Sequence, residues 1–537
     1  MRYFPLLLLS IALFWIGCNS NPSVSPIHPV WVLYENDVHC AIDGYARLAT
    51  LKEAKLSVSP FVTTVTCGDF VQGDVVGSLS HGEDIVRIMN AVGYDVVALG
   101  NHEFDFGLPQ LFRLTDSLDA TVVCANFRHQ STDSLLFPPY QILSYDDVQI
   151  AYIGFITTAT IGLVAPSTFQ DSIGQFCYDF SHKRFYEQAQ HYIDDARKQG
   201  ADYVVALSHL GDTKLEGHPN SIDLITNTDG IDVVIDGHSH SIIADTLISN
   251  KLKKEVLLTS TGNKFSNIGL LKLDTDGCFS TQLIPNSDTT LIDNTEIKSL
   301  TDSLQKKVLT DGKKVIGTNL QPLLITNPEN ERLIRNRETT IGNLCADAFR
   351  CVLHTDIALI NSGCIRADLP QGPLTLNQLH SAFPFDNNAC IATLTGNQLL
   401  DVLEFSVRML PQAYSEFMQV SGLKFQVDTS IPSPATLDEN ELFSHITSEA
   451  RRISQLQILD SQSGHYLPVD TARTYTLGGL DYQIKQMGSQ GILRYAKLIS
   501  DNRGSIIQVL TTYIEKHLNG VIGKQYAQTE GRIVIDK

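Results

Sequence analysis

The chain has 537 residues, 43% of them hydrophobic, which is too long for one ordinary core and typical of a globular protein with two sizeable domains. Its net charge of −19 gives no support to general nucleic-acid binding. An anionic substrate has to be captured by local cations or metal ions against this overall field. Any phosphate-binding site must therefore be built locally.

The first segment reads MRYFPLLLLSIALFWIGCNSNPS, in which Arg2 precedes an apolar stretch that runs to Ile16. The stretch is too short and too abruptly followed by polar residues for a membrane span, so we interpret it as an export signal. Its WIGC ending resembles a bacterial lipobox. The resemblance implies a lipoprotein-type signal over residues 1–18, lipidation of Cys18 as the first mature residue, and a membrane-anchored place in the cell envelope, facing the periplasm or the cell surface. An ordinary cleaved signal is the alternative.

The cysteines do not form a recognisable framework. Nine remain after Cys18, an odd number without a CxxC pair, which excludes complete disulfide pairing and leaves one or two bridges open. None has the spacing of a structural zinc site. We expect most of them to be buried hydrophobes.

The segment from residue 29 to residue 285 alternates short apolar runs with helical patterns. The runs include TTVTC, DVVAL, IAYIGF, YVVAL and DVVI, and such runs favour an α/β or layered α/β domain whose strands are buried on both faces. Between two of them, Ile85, Ile88 and Val92 share one helical face, and the pattern stops at Gly93. This predicts a connecting helix.

The polar stretch IPNSDTTLIDN marks a break in composition. From Ile297 to Leu304, apolar residues then recur at spacings of three and four, which predicts a linking helix within residues 294–314. We expect a second domain over residues 315–537.

Five apolar runs of the first half end in residues that can bind metals. VWVLY leads to ENDVH, TTVTC to GDF, VVAL to GNHEFD, YVVALS to HLGD, and DVVID to GHSH. The ends of strands in α/β sheets are where ligands bind, so these polar groups are expected to meet. In ENDVH, Asp37 and His39 lie two positions apart, and in GHSH so do His238 and His240. Alternate residues of an extended segment point to the same side, so each pair could face one side together. The residues expected to meet are Asp37, His39, Asp69, Asn101, His102, His209, His238 and His240.

This set of side chains predicts a dinuclear metal centre. Imidazoles and carboxylates without a thiolate suit zinc, manganese, iron, cobalt or nickel, and seven candidate ligands are too many for one tetrahedral ion. A carboxylate that bridges two divalent ions about 3.5–4 Å apart gives an arrangement that activates water and stabilises displacement at phosphorus. Asp69, alone after its strand, is the candidate bridge.

The motifs NDVHCAIDGYARLAT, GDFVQG, GYDVVALGNHEFDFG, SHLGD and DGHSH resemble those of the calcineurin-like metallophosphatase domain, in its 5'-nucleotidase and UDP-sugar hydrolase branch. The resemblance implies a four-layer α/β/β/α domain over residues 29–285. In this branch the last ligand can be glutamine, where this chain has His240. The resemblance assigns Asp37, His39, Asp69 and His240 to one ion, and Asp69, Asn101, His209 and His238 to the other.

The same resemblance gives His102 a catalytic role apart from the ligands. It implies that His102 faces the phosphoryl group and that Asp105 orients it. A cationic imidazole there stabilises charge on the transferring group or on the leaving oxygen. Glu103 is expected to be structural or solvating, and Phe104 to pack.

The motifs RNRETTIGNLCADAFR, DIALINSGCIRADLPQGPLTLNQL and FPFDNN resemble the C-terminal domain of the same 5'-nucleotidases, which implies an α+β substrate-binding domain. Arg335 and Arg366 fall on the phosphate-contacting arginines of the family, and guanidinium groups bind phosphate in a bidentate manner. A further arginine of some relatives is Glu331 here, and its neighbour Arg332 is a candidate substitute.

The nucleoside side of the resemblance is less complete. Phe385 matches the aromatic residue that stacks on the base, and Asn387 the neighbouring polar contact. Tyr482 is the candidate for the second stacking aromatic. Relatives commonly read GGDG where this chain has GSQG, so Gln490 stands in place of an aspartate that contacts the nucleoside. This departure leaves substrate preference open.

These observations predict a secreted dinuclear-metal phosphoesterase that hydrolyses nucleoside 5'-monophosphates, with UDP-sugars and other nucleotides as further substrates, by metal-activated water. Its expected partners are a nucleotide and, through a lipid anchor, a membrane, with no nucleic-acid polymer. Hinge movement about the linking helix is expected because the metals and the substrate platform lie on different domains. One alternative is a 2',3'-cyclic nucleotide 2'-phosphodiesterase/3'-nucleotidase, which Gln490 favours. Another is a catalytically silent surface binding protein.

Overall fold

The computed structural model describes residues 24–171, 173–213, 217–329, 331–385, 387–438, 442–448 and 450–536. The predicted export signal, including Cys18, lies outside the described residues. Within the described ranges, no helix combines the length and the apolar character needed to cross a membrane.

The first half consists of strands that alternate with helices. The helices are α1 (Tyr45–Leu56), α2 (Val75–Ser80), α3 (Glu83–Val92), α4 (Leu108–Ser117), α5 (Thr160–Leu163), α6 (Phe185–Lys198) and α7 (Ser221–Asn227). The strands are β1 (Val30–Glu35), β2 (Val62–Thr66), β3 (Val96–Ala98), β4 (Thr121–Val123), β5 (Arg128–His129), β6 (Tyr140–Tyr145), β7 (Val148–Ile156), β8 (Tyr178–Asp179), β9 (Tyr203–His209), β10 (Val233–Asp236), β11 (Ile242–Ser249), β12 (Glu255–Thr261), β13 (Asn267–Leu273) and β14 (Phe279–Pro285).

Two sheets pack face to face between layers of helices. One sheet has the order β14-β13-β1-β2-β3-β4 and the other β11-β12-β10-β9-β7-β6. A core that includes Val32, Val96 and Val205 lies between the sheets. Helices α1, α3 and α4 cover the outer face of the first sheet, and α6 and α7 cover that of the second. The predicted four-layer α/β/β/α arrangement is confirmed.

The central strands end level with one another, which positions the loops of the site. In the first sheet Tyr34 pairs with Val65, which pairs with Val96, all in parallel register. In the second sheet Leu207 pairs with Ile235, also in parallel. Since parallel strands present their carboxyl ends at one edge, the segments after β1, β2, β3, β9 and β10 converge there.

A helix α8 (Thr295–Gly312) follows β14. The Asn294 side chain accepts hydrogen bonds from the backbone N–H groups of Glu296 and Ile297, as an N-cap residue does. Ile297 and Leu304 are buried in the same core as α1 and α3, in line with the spacing of three and four in the sequence. The boundaries at residues 285, 294–314 and 315 stay predictions.

The second half is a mixture of antiparallel and parallel strands with helices. The helices are α9 (Thr340–Leu353), α10 (Leu376–Ala382), α11 (Gly396–Ser406), α12 (Asp481–Ile484) and α13 (Ile506–Thr512). The strands are β15 (Val315–Asn319), β16 (Ile357–Asn361), β17 (Gly372–Thr375), β18 (Ala389–Thr395), β19 (Met418–Ser421), β20 (Leu423–Asp428), β21 (Ala435–Leu437), β22 (Phe443–Ile446), β23 (Ile453–Leu459), β24 (Tyr466–Pro468), β25 (Thr474–Leu480), β26 (Lys497–Ser500), β27 (Val521–Ile522) and β28 (Ile533–Asp536).

A mixed sheet of order β19-β16-β25-β18-β26 lies at the centre of the second half. One of its faces packs against α9 and α13. The opposite face packs against α11 and a sheet of order β24-β23-β20-β28. The predicted α+β class of this half is confirmed.

Candidate metal and substrate site

The predicted ligands lie on tight turns directly after the strands. Asp37, His39, Asp69, His238 and His240 all have positive φ angles, between 46° and 73°. Non-glycine residues seldom adopt this left-handed conformation, and it concentrates at functional sites. The expectation that the two pairs of alternate residues lie on extended segments is therefore wrong: turns, not strands, aim these side chains.

One cluster is formed by Asp37, His39 and His240, whose ligand atoms lie within 4.8 Å of one another. Asp37 Oδ1 lies 3.4 Å from His240 Nε2 and 3.9 Å from His39 Nε2. The Nε2 atoms of the two histidines are 3.0 Å apart. These three side chains are the ones predicted to share an ion with Asp69.

A second cluster is formed by Asp69, His209 and His238, again within 4.8 Å. Asp69 Oδ2 lies 3.2 Å from His209 Nε2 and 3.8 Å from His39 Nε2, so this carboxylate faces both clusters. Asn101 is buried at the start of the turn after β3, with no hydrogen-bond partner for its side-chain oxygen. The structure therefore places Asp69 between the two clusters, and Asn101 directly follows a glycine that lies against Asp69.

Gly100, at the start of the GNHEFD turn, lies too close to its neighbours for any side chain to fit there. A Cβ atom at this position would lie 2.3 Å from Asp69 Oδ1 and 2.7 Å from His209 Cε1. Any side chain would displace one of these groups. The turn that carries Asn101 and His102 can thus lie directly against the Asp69 loop.

Among the described residues, the buried atoms Asp37 Oδ1 and Asn101 Oδ1 have no hydrogen-bond partner. Buried polar groups are normally satisfied, and these orphans converge on one place. Oxygen and imidazole nitrogen donors without thiolates suit hard or borderline divalent cations. The residues present therefore fit a metal centre.

Charges inside the clusters shift the pKa values strongly. Burial raises the pKa of Asp37 to about 6. Burial alone would raise the pKa of Asp69, but His209 and His102 hold it well below its usual range. The pKa of His209 is raised to about 10, since Asp69 outweighs the effect of burial, whereas burial and His209 lower that of His238 to about 3. These shifts favour an anionic Asp69, a protonated His209 and a neutral His238.

Two of the imidazoles are hydrogen-bonded through Nδ1 to main-chain carbonyl groups. His39 Nδ1 donates to the carbonyl oxygen of Gln72 at 2.9 Å, and His209 Nδ1 donates to that of Cys67 at 2.7 Å. A carbonyl can only accept, so each ring carries a proton on Nδ1, and in its neutral form it presents an unprotonated Nε2 to the clusters. This is the usual arrangement behind a metal-binding histidine.

Asn36 supports the carboxylate of Asp37. Its Nδ2 donates to Asp37 Oδ2 at 2.8 Å and to the Gly262 carbonyl at 2.7 Å, while its Oδ1 accepts from the Thr261 backbone. The His238 backbone N–H also donates to Asp37 Oδ2. Sequence reasoning missed Asn36, although an amide directly before a ligand at a strand end was a usable signal.

Glu103 organises the turn instead of facing solvent. Its buried carboxylate accepts hydrogen bonds from the backbone N–H groups of Asp69, Gly100, Phe70 and Val71, at 2.6 to 3.2 Å. The structural role expected for Glu103 fits this geometry, and the solvating role does not. Phe104 is fully buried among aromatic rings, as expected.

His102 lies beside the clusters with its ring tied to Asp105. Its Nδ1 is 2.6 Å from Asp105 Oδ2, and its backbone N–H donates to Asp69 Oδ1 at 2.8 Å. Burial lowers the pKa of His102, but the Asp105 and Asp69 carboxylates outweigh it and raise the pKa above its usual value. The imidazole is thus poised to be a cation near the Asp69 carboxylate.

The second half covers the clusters with basic and aromatic side chains. Arg332 Nη2 lies 3.2 Å from His240 Nδ1. The Phe385 ring lies 5.8 Å from the His102 ring, and the Arg366 guanidinium lies 5.7 Å from the Phe385 ring. Burial, followed by the charges of Arg332 and Arg366, lowers the pKa of Arg335. Arg332 and the predicted stacking aromatic therefore reach histidines of the metal site, and the charges of Arg335 and Arg366 act on His238 and His39.

The other two predicted substrate residues, Asn387 and Tyr482, and the departure Gln490 have contacts of their own. The backbone carbonyl of Asn387 accepts from the Ile506 N–H at the start of α13. The Tyr482 hydroxyl donates to the Leu163 carbonyl at 3.4 Å. Gln490 Oε1 accepts from Arg408 Nη2 at 2.6 Å and from the Tyr414 hydroxyl.

Two family models match the chain. The calcineurin-like phosphoesterase model matches residues 30–241, and the model of the 5'-nucleotidase C-terminal domain matches residues 315–494. A crystal structure of the 5'-nucleotidase precursor from Thermus thermophilus has the same fold, with a TM-score of 0.78 and 24% identity over 94% of this chain and 99% of that one.

Curated relatives are about a quarter identical to this chain over the aligned residues. The endonuclease YhcR of Bacillus subtilis is 25% identical over 71% of this chain and 33% of its own length. The cell wall protein Lmo0130 of Listeria monocytogenes is 25% identical over 74% and 58%, and the 5'-nucleotidase of Bos taurus is 24% identical over 94% and 90%. The chain thus spans a third to about three-fifths of the two bacterial relatives.

The fold is that of calcineurin-like phosphoesterases, a class of metal-dependent phosphoester hydrolases, and the gathered side chains fit a metal centre. More narrowly, the chain belongs to the family in which this domain is followed by a 5'-nucleotidase C-terminal domain. The family predicted from the motifs is confirmed.

Proposed function

We propose that this chain is an exported phosphoesterase that hydrolyses nucleoside 5'-monophosphates to nucleoside and phosphate, and that also cleaves related nucleotides such as UDP-sugars. The observation that carries the proposal is the position of Asp69. Its Oδ2 faces His209 Nε2 at 3.2 Å and His39 Nε2 at 3.8 Å. A buried carboxylate between two sets of imidazoles is what a dinuclear centre requires.

Two divalent ions would be held by the gathered ligands, with Asp69 shared. When bound, they supply Lewis acidity at phosphorus and lower the pKa of water. Asn36, Gln72 and Glu103 would hold the ligands of these ions in place. The proposed ligands are Asp37, His39, Asp69, Asn101, His209, His238 and His240.

His102 is the proposed group that stabilises charge on the phosphoryl oxygens or on the leaving group. Its raised pKa and its 2.6 Å contact with Asp105 support a cationic imidazole. Such preorganised positive charge acts most strongly in the transition state. Asp105 holds the His102 ring through Nδ1, so that the Nε2 atom of His102 points away from the Asp105 carboxylate.

The second half is proposed to bind the rest of the nucleotide. Arg335 and Arg366 would contact phosphate, and Phe385 would stack on the base, which its place between Arg366 and His102 supports. Asn387 and Tyr482 are proposed to complete the nucleoside site by resemblance.

A second candidate function is the 2',3'-cyclic nucleotide 2'-phosphodiesterase/3'-nucleotidase. The observation that favours it is the engagement of Gln490 Oε1 by Arg408 and Tyr414. In the relatives, an aspartate carboxylate at this position is expected to contact the nucleoside of a 5'-nucleotide. Here the side-chain oxygen of Gln490 instead accepts two hydrogen bonds from within the protein.

We also propose that the chain is a lipoprotein of the cell envelope, with lipid on Cys18. The WIGC ending supports this, as does similarity to a protein named as a cell wall protein. Labelling cells with a fatty-acid analogue tests it. An unlabelled product would indicate an ordinary signal peptide.

The activity is tested with a panel of 5'-, 3'- and 2',3'-cyclic nucleotides and UDP-glucose, by phosphate release. We expect 5'-monophosphates to be hydrolysed fastest, chelation to abolish release, and His102→Ala to lower kcat by about 10²–10⁴ while both ions stay bound. If metal-loaded wild type yields neither phosphate nor a monophosphate product, such as UMP from UDP-glucose or a 3'-nucleotide from a cyclic one, the phosphoesterase proposal fails. Preference for cyclic substrates would support the second candidate.

A further inference from the structure

The substrate side of the site holds a buried carboxylate that has no part in the proposed function. Glu416, two residues before β19, is 3% exposed. Its Oε1 accepts a hydrogen bond from Ser415 Oγ at 3.0 Å, whereas among the described residues its Oε2 meets no donor at hydrogen-bonding geometry. Burying a carboxylate oxygen without a donor is costly, and such exceptions in native proteins need an explanation. A ligand that brings its own donor would supply one.

Hydrogen bonds place the segment before β19 between Arg335 and the loop of Gln490. The Tyr414 backbone N–H donates to the carbonyl oxygen of Arg335 at 2.9 Å, and the Tyr414 hydroxyl donates to Gln490 Oε1. The loop in turn lies against the Tyr482 ring, since a Cβ atom at Gly488 would be 2.4 Å from Tyr482 Cζ. A proposed phosphate-binding arginine and the proposed stacking tyrosine thus flank this segment.

The charges agree with this placement. Burial raises the pKa of Glu416, and neighbouring hydroxyl groups, Arg335 and Arg408 oppose the rise. Burial, followed by the charge of Glu416, raises the pKa of Tyr482. The carboxylate therefore lies near both the arginine and the tyrosine. Because the sugar joins the phosphate to the base in a nucleotide, a group near both ends faces the sugar.

A role as a counter-ion for Arg335 and Arg408 would be a simpler explanation, but the contacts do not support it. Within the described ranges, neither oxygen of Glu416 accepts a hydrogen bond from a guanidinium group. Arg408 Nη2 instead donates to Gln490 Oε1 at 2.6 Å and to the Tyr414 hydroxyl at 2.9 Å. The two arginines thus compensate the charge of Glu416 from a distance and leave Oε2 for a donor of the substrate.

We infer that Glu416 Oε2 accepts a hydrogen bond from a ribose hydroxyl group of the bound nucleotide. The inference deepens the proposed nucleotidase function and rests on it. It assigns to Glu416 the contact that the sequence expects of an aspartate where this chain has Gln490, whose oxygen is already engaged. The substrate is then a nucleoside 5'-phosphate with free 2' and 3' hydroxyl groups. A 2',3'-cyclic phosphate would instead bring an anion against the carboxylate, and such an unfavourable contact selects against a ligand.

Phosphate release by the full, metal-loaded chain from AMP, 2'-deoxy-AMP, 3'-deoxy-AMP and phenyl phosphate tests the inference. We expect wild type to lose about tenfold or more in kcat/KM with at least one deoxy analogue, because loss of the hydroxyl leaves a buried charged acceptor unpaired. Glu416→Gln should shrink this ratio of AMP to deoxy analogue by about fivefold, since a neutral amide oxygen is a weaker acceptor. Phenyl phosphate, which has no sugar, should be hydrolysed almost as well by the variant as by wild type.

Glu404→Gln is the matched control. Glu404 is a fully buried carboxylate of the same half, and its two oxygens accept hydrogen bonds from the backbone N–H groups of Arg452 and Ile453 at 2.9 and 3.1 Å. This variant should leave the ratio of AMP to the deoxy analogues unchanged, because Glu404 has backbone partners for both oxygens.

Equal kcat/KM for AMP and both deoxy analogues in wild type, or a ratio that Glu416→Gln does not change, would overturn the inference and leave the phosphoesterase proposal intact. An equal fall on every substrate, phenyl phosphate included, would make Glu416 a counter-ion and would also overturn it. The wild-type comparison needs no variant and can overturn the inference even if Glu416→Gln does not fold. Absence of phosphate from every substrate in wild type would instead refute the proposed nucleotidase function itself.

Discussion

The two halves of the molecule contribute to the same site in different ways. In the first half, metal-facing side chains are held by groups of the same half, as Asp37 is by Asn36 and His209 is by the Cys67 carbonyl. In the second half, Arg332 and Phe385 contact the site only across the boundary between the halves. The metal pocket is therefore built into one rigid framework, whereas the substrate platform depends on how the halves meet. Substitutions in the two regions should fail in different ways.

The largest expected effect comes from the shared carboxylate. Asp69→Asn removes the charge that faces both clusters, so we expect loss of both ions and a fall in kcat/KM beyond the roughly 10²–10³-fold cost of removing one transition-state donor. Metal analysis and phosphate release measure it. The matched control is Asp236→Asn, because burial raises the pKa of Asp236 to about 7 and an amide there replaces a carboxyl that is already partly neutral. Retention of two ions in Asp69→Asn would contradict the shared role.

Glu103→Gln tests whether the first half works as a framework. The amide keeps one acceptor oxygen, so two of the backbone N–H groups now bound lose their partner, at about 1–3 kcal/mol for an unsatisfied buried group. Because those N–H groups belong to the Asp69 and Gly100 loops, we expect metal affinity to fall by about 10–100-fold, as for other supporting residues. Thermal unfolding and metal titration measure both effects.

The control for Glu103 is another buried glutamate. Burial raises the pKa of Glu35 to about 8, and its side chain accepts a hydrogen bond from the Tyr94 hydroxyl at 3.0 Å. Glu35→Gln should therefore change metal affinity little. An equal loss in both variants would mean that general destabilisation, and not the loop, weakens the metals.

The contrast between the halves also separates what the sequence could predict from what it could not. Buried apolar runs followed by Asp, Asn or His predicted both the strands and the convergence of Asp37, Asp69 and His209, since strand ends share one edge. The left-handed φ angles of Asp37 and Asp69 fall on non-glycine residues, so the residue type at those positions did not signal them. The contact of Arg332 with His240 joins residues 92 positions apart across two domains, and no local pattern encodes such a contact.

Phe385→Leu probes the platform without touching the metals. Loss of base stacking costs about 1–3 kcal/mol, so we expect KM to rise for a nucleoside 5'-monophosphate and to stay unchanged for glycerol phosphate, which has no base. The control Phe383→Leu alters a fully buried ring in the same segment and should lower stability without a selective change in KM. Equal effects of Phe385→Leu on both substrates would remove this residue from the nucleoside site.

The smallest effect is expected at Tyr482, where two roles compete. Its hydroxyl meets the Leu163 carbonyl of the first half at 3.4 Å, a long hydrogen bond worth about 0.5 kcal/mol. If the ring stacks on a base, Tyr482→Phe keeps nucleotide KM near wild type and Tyr482→Leu raises it. If the residue instead joins the halves, both variants lose the same contact and change KM alike, for glycerol phosphate as much as for nucleotides. We expect the first pattern, because only the ring, and not the hydroxyl, is suited to a base, and KM measured for both variants on both substrates distinguishes the two.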